Sequence, residues 1–298
     1  MKLIAPPALP SEMTPPPTGS GGGRVLSLTR ETGRELAYFL YVPKSVGPGA
    51  ELFVSVHGLA RNAVSHVMRF RKYAERAGAV LIAPVFSKDQ HRLFQRLAPG
   101  AGGRRPDAAL NAAIEEVERM LKRPPAPAYF FGYSGGGQFV HRYAMRHPAR
   151  VKSAVLAAPG WFTFPDPETP FPYGLAPSPG EADIDIDRFL TIPFSVVVGD
   201  EDVERDAALN QSGIIDAAQG RNRLERATNW VAAMGEACAR RGLAPNVTLI
   251  LLRRAGHCFE QNMDKRGLGE VVFRELFASP SRAARPPLAA PPREMRDL

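Results

Sequence analysis

The chain has 298 residues, 44% apolar and 23% charged, which gives one large domain or two small ones with ample material for a core. The apolar share excludes a disordered chain, no run reaches the ~18 apolar residues of a membrane-spanning helix, and no glycine triplet repeat points to a fibre. The net charge is +8, yet Lys and Arg are scattered among acids, as at Arg69, Arg71, Lys72, Glu75 and Arg76, with no basic run interleaved with aromatics. A mildly basic solvated surface is expected, with neither nucleic acid nor membrane as a partner.

Eleven of the 29 prolines fall in Met1–Gly23 and Pro280–Leu298. These stretches lack apolar periodicity and are read as disordered arms, at residues 1–23 and 280–298, around a compact body at 24–279. The opening Met1-Lys2-Leu3-Ile4-Ala5-Pro6-Pro7 breaks at proline before an apolar signal region can form, so a cytoplasmic address is expected. Two cysteines, Cys238 and Cys258, cannot build a cysteine-rich scaffold or a zinc cluster. Cys238 continues the stripe Leu224, Ala227, Val231 and Met234 and is expected inside a helix-borne core.

Along the body, short apolar runs alternate with segments of helical period, the pattern of an α/β protein with a mostly parallel sheet and helices on both faces. The expected strands are Arg24–Leu28, Leu36–Val42, Leu52–Val56, Ala79–Pro84, Tyr129–Phe131, Val151–Ala158, Phe194–Val198 and Val247–Leu252. The first two read as an edge hairpin. Helices are expected where Val67, Phe70, Ala74 and Ala77 form one stripe, where Leu110, Ala113, Ile114, Val117 and Leu121 form another, over 222–240, and over roughly Gly267–Phe277. Two segments, Phe86–Arg105 and Gly160–Leu190, fit neither period and exceed ordinary connections. Both follow expected strands, and the carboxyl ends of parallel strands form the ligand crevice, so they are candidate pocket walls. Trp161 and Phe162 in the second segment, with Tyr133, are candidate substrate contacts.

The sharpest local signal is Gly132-Tyr133-Ser134-Gly135-Gly136, a G-x-S-x-G between a strand and a helix. Such a turn exposes the serine hydroxyl, and glycines two residues either side let helix and strand pack closely. An incidental serine in a glycine-rich turn is the plain alternative, and the position directly after the fifth strand argues against it. A serine nucleophile needs a base, and histidine suits neutral pH. Of six histidines, His257 stands just beyond the last strand, in Gly256-His257-Cys258, and enters the crevice from the same end as Ser134. The strand Phe194–Val198 ends in Gly199-Asp200-Glu201-Asp202. Asp202 has room to turn back toward His257 and is the expected acid, with Asp200 and Glu201 as alternatives. Oxyanion donors are expected at the Leu59 amide, after the His57-Gly58 turn, and at the Gly135 amide, with His57 bracing the loop.

His57-Gly58, the Gly132–Gly136 elbow, Gly199 to Asp202 and Gly256-His257 together resemble the α/β-hydrolase fold family over nearly all of the body. Within it the chain is similar to single-domain esterases of the polyhydroxyalkanoate depolymerase and feruloyl esterase group, without a cap-sized insertion and without their secretion signal and disulfides. The resemblance implies about eight strands with no large cap domain, and a serine hydrolase that cleaves carboxylic esters through Ser134, His257 and Asp202 with no metal or organic cofactor. An acyltransferase or peptidase would use the same triad.

Overall fold

In the computed structural model, residues 23–28, 36–47, 49–177 and 184–277 are described. The two expected arms, apart from Gly23, and the turn joining the first two strands lie outside the described residues. Eight strands form one sheet, β1 (Arg24–Leu28), β2 (Ala37–Val42), β3 (Leu52–Val56), β4 (Val80–Val85), β5 (Ala128–Tyr133), β6 (Val151–Ala157), β7 (Phe194–Gly199) and β8 (Val247–Leu252), in the order β1-β2-β4-β3-β5-β6-β7-β8. β2 pairs antiparallel with β1 and with β4, and every other pairing is parallel.

Every residue of β3, β4 and β7 is buried, as strands covered on both faces require. Side chains alternate between two cores. Val54, Ile82, Phe130, Leu156 and Val196 face one, with α2 (Pro106–Met120), α3 (Gly135–Arg146), α4 (Ile186–Leu190) and α6 (Arg223–Ala239) packed over them. Phe53, Leu81, Phe131, Val155 and Val197 face the other, under α1 (Ala63–Ala77), α7 (Phe259–Lys265) and α8 (Leu268–Phe277). No described helix is long and apolar enough to cross a membrane.

Val67, Phe70 and Ala74 are buried as their spacing predicts, whereas Ala77 is exposed, because α1 ends there on Gly78 in the left-handed conformation, φ 63°. Three helices were not anticipated: α4, α5 (Gly213–Gln219) and α7. They are 5, 7 and 7 residues long, too short to show a full period in sequence. The segment 86–105, expected as an irregular wall, holds two 3-10 turns, Phe94–Arg96 and Ala101–Gly103. Phe86 and Phe94 stack at 4.8 Å, and Phe86 also meets Phe139 of α3 at 4.9 Å, so these aromatics carry the segment into the core.

The parallel strands place the chemistry. The carboxyl ends of β3, β5, β7 and β8 lead directly into His57-Gly58, Ser134, Asp200 to Asp202 and the His257 loop, so four segments distant in sequence open at one edge of the sheet.

Candidate active site

Ser134 links β5 to α3 with φ 52° and ψ −115°, a conformation that a non-glycine residue holds only when its surroundings enforce it. The enforcement is close packing. A Cβ on Gly132 would lie 2.2 Å from the Gly136 carbonyl oxygen, and one on Gly136 would lie 2.2 Å from the Val56 carbonyl oxygen. The Ser134 amide donates to Ala157 at 2.7 Å, tying the turn to β6.

His257 Nε2 lies 3.1 Å from Ser134 Oγ, and His257 Nδ1 lies 2.8 Å from Asp202 Oδ2. A carboxylate can only accept, so Nδ1 carries the hydrogen and Nε2 is left to accept from the serine hydroxyl. Asp202 is 2% exposed, and its turn is closed by its own amide donating to Gly199 at 3.1 Å. Gly199 has to be glycine, since a Cβ there would meet the Ala255 carbonyl oxygen at 1.8 Å; this contact brings the acid loop against the histidine loop. Asp200 points elsewhere, with Oδ2 3.6 Å from Arg253 Nε, and Glu201 is exposed. The other Asp202 oxygen, Oδ1, accepts from Arg223 Nη1 at 3.2 Å. Nothing in the sequence pointed to Arg223.

One peptide plane sets the direction of the Leu59 amide. The Gly58 carbonyl accepts from His57 Nδ1 at 2.8 Å and from the Arg61 amide at 3.1 Å. In a planar trans peptide the N–H points opposite the C=O, so pinning the Gly58 oxygen aims the Leu59 N–H the other way. There it meets the elbow, since the Cβ direction of Gly135 passes 3.4 Å from the Leu59 nitrogen. Gly135 begins α3, so its own amide has no partner within the helix. His57 Nε2 accepts from the Phe86 amide at 3.0 Å. Burial lowers the His57 pKa to about 4, which keeps the ring neutral and both bonds intact. Arg61, at φ 58°, reaches the Phe86 carbonyl and, at 3.2 Å, the Arg92 carbonyl, clamping the turn after β3 to segment 86–105.

A family model described as alpha/beta hydrolase fold matches residues 56–201. The chain has the α/β-hydrolase fold. Among solved structures, the chain is similar to poly(aspartic acid) hydrolase-1 from Sphingomonas sp. KT-1, with TM-score 0.71 and 22% identity over 85% of this chain and 98% of that one. It is also similar to LpqC, a poly(3-hydroxybutyrate) depolymerase from Bordetella parapertussis, with TM-score 0.69 and 25% identity over 86% and 90%. An S-formylglutathione hydrolase from Agrobacterium tumefaciens aligns with TM-score 0.56 and 19% identity over 87% and 98%. No curated protein matches the chain.

The walls beside this site differ from the expected ones. Phe162 does not reach the crevice. It is wholly buried, its ring stacked on Trp230 at 4.9 Å and its backbone exchanging two hydrogen bonds with Gln219, at 2.9 and 2.8 Å. Trp161 is 3% exposed and packs against two guanidinium groups, Arg142 at 4.0 Å and Arg96 at 5.5 Å from the ring centre. Its aromatic face is therefore occupied by protein. The wholly buried Arg142 ties the two candidate walls together, donating to Thr163 Oγ1 and to the Gln95 carbonyl. Tyr133 is buried with its ring 5.3 Å from that of His257 and its hydroxyl accepting from Asn262 at 3.4 Å. Burial, and then the Asp202 charge, push its phenol well above the ordinary value. Tyr133 thus backs the histidine instead of lining an open wall. Leu59 and Val203, which follow directly on Gly58 and on Asp202, are 39% and 47% exposed. Sequence periodicity gave no sign of them, because neither lies in a helix or strand.

The remaining histidines serve packing. His66 stacks on Phe259 at 3.9 Å and bonds Ser55 at 2.8 Å. His141 spans the Gly137 carbonyl and the Thr163 amide, each at 2.9 Å, and His147 pairs with Asp107 at 2.8 Å. Cys258 faces Glu260, 4.0 Å away, and Cys238 is buried in α6.

Proposed function

We propose that this protein hydrolyses carboxylic esters, with Ser134 as nucleophile, His257 as the base that becomes the acid, and Asp202 as the group that orients and balances the imidazole. The observation that supports this most directly is the unbroken run from Asp202 through His257 to Ser134, at 2.8 and 3.1 Å. His257 takes the hydroxyl proton as Oγ attacks the carbonyl, and the tetrahedral oxyanion forms between the Leu59 and Gly135 amides. His257 then returns the proton to the leaving alcohol, and water repeats the sequence on the acyl-enzyme. The partly exposed Leu59 and Val203 suit an apolar acyl or alcohol group, a small-molecule or oligomeric ester. Likeness to a poly(3-hydroxybutyrate) depolymerase at 25% identity favours an ester over an amide.

Ser134→Ala is expected to abolish turnover of p-nitrophenyl acetate and labelling by a fluorophosphonate probe, with the fold intact by circular dichroism. A variant of unchanged rate overturns the assignment.

A further inference from the structure

Arg223 is the first residue of α6, and its side chain is wholly enclosed. Both facts carry a cost. Burial strips the guanidinium of water, and the amino end of a 17-residue helix is the positive end of its dipole, where a cation is unfavourable. A residue serving α6 alone would be neutral or acidic here. The partners that offset the cost are carboxylates. Nη1 lies 3.2 Å from Asp202 Oδ1 and 2.8 Å from Asp206 Oδ2, and Nη2 lies 2.9 Å from Asp206 Oδ1. Asp202 is thereby held at both oxygens, one by Arg223 and one by His257, which blocks rotation of the carboxylate away from the ring.

The charges are also matched. Asp202, Asp206 and Arg223 sum to one negative charge, and the imidazolium that forms when His257 accepts the serine proton brings the set to zero. Without Arg223, two uncompensated carboxylates would hold that proton too firmly. Without Asp206, Arg223 would neutralise Asp202 and leave the imidazolium unsupported. The other groups around His257 are Ser134, the Tyr133 ring and the adjoining Cys258. Glu260 on α7 is taken up by Asn62 and Ser65, and Asp200 is turned to Arg253. The Arg223 hydrogen bond holds the Asp206 carboxyl below its ordinary pKa, and His257 adds to that effect, so Asp206 and the histidine lie within electrostatic reach of each other.

We propose that Arg223 is a positioning residue for Asp202, and that Arg223 and Asp206 act in opposite directions on how readily His257 keeps a proton. The proposal rests on the Ser134–His257–Asp202 reading above.

The test is the pH profile of kcat/KM for p-nitrophenyl acetate in Arg223→Met, Arg223→Lys and Asp206→Asn. Arg223→Met is expected to lower kcat about tenfold or more with KM within about twofold, and to move the acid limb up by roughly half to one pH unit, since loss of a cation favours the protonated ring. Asp206→Asn moves the limb down, and Arg223→Lys restores most of the wild-type position. Opposite movements separate charge balance from structural damage, which has no reason to reverse sign between the two variants. Limbs that stay in place, or move together, overturn the proposal. Should Arg223→Met fail to fold, Asp206→Asn decides alone, because its side chain is 35% exposed; an unmoved or raised limb is then the overturning result. Ser134→Ala keeps the two readings apart. If that variant still turns over ester, the serine mechanism fails; if it is dead while the limbs stay in place, only the Arg223 assignment fails.

Discussion

His57 Nδ1 and the Gly58 carbonyl oxygen meet at 2.8 Å, and through one rigid peptide this contact aims the Leu59 amide toward the Ser134-Gly135 turn. Removing the imidazole leaves the Gly58 carbonyl held by the Arg61 amide alone and loosens the peptide without touching the serine. His57→Ala is expected to lower kcat by about tenfold to a hundredfold with KM little changed, a little less than the loss of one whole oxyanion donor. Steady-state kinetics on p-nitrophenyl acetate checks this; an equal loss in KM would place His57 in ground-state binding instead.

The choice between two carboxylates has its own measurement. Asp202 faces the histidine and Asp200 faces Arg253, so Asp202→Asn is expected to cost on the order of 10³–10⁴ in kcat, the scale known for loss of a triad acid. Asp200→Asn stays within a few-fold of wild type. The reverse ranking would move the role to Asp200.

Glycine substitutions at the elbow should divide by what the new methyl meets. At Gly136 it would strike backbone at 2.2 Å, whereas at Gly135 it would meet the tip of Leu59 at 3.1 Å. Gly136→Ala is expected to destabilise the protein or prevent its folding. Gly135→Ala should fold and lose activity, because Leu59 gives way at the mouth of the oxyanion site. Thermal melts together with activity distinguish the two.

Stability should fall in mild acid. Burial lowers the pKa of His57 from 6.5 to about 4, and burial holds His66 and His141 well below 6.5. Below about pH 6.5 the unfolded chain therefore binds more protons than the folded one, so stability present at neutral pH is lost as the pH falls toward 4. The slope approaches about 1.4 kcal/mol per pH unit for each histidine. Urea midpoints between pH 7 and 4 follow this directly, and a flat profile contradicts it.

Phe162 offers a control on the pocket. Its stacking on Trp230 makes it a core residue, so Phe162→Ala should cost about 3–5 kcal/mol of stability while KM for short esters stays near wild type. A raised KM with unchanged stability would return it to the substrate wall.

Much of this protein is written locally. All eight strands fall within two residues of where apolar runs place them, and the glycine-flanked Ser134 turn after β5 and the glycine turn after β3 are read from spacing and turn chemistry alone, since backbone period and glycine permissiveness act over a few residues. What spacing does not carry is where separate segments meet. That Asp202 and not Asp200 faces His257 depends on β7 lying beside β8 with Gly199 against Ala255. That Phe162 turns inward depends on Trp230, 68 positions further on, offering a ring to stack on. That Arg223 reaches Asp202 depends on the start of α6 arriving beside the end of β7. The sequence by itself determined which chemistry is available and in what order along the chain. Only the tertiary structure decided which groups are desolvated together, and so which carboxylate faces His257 and which cation faces that carboxylate.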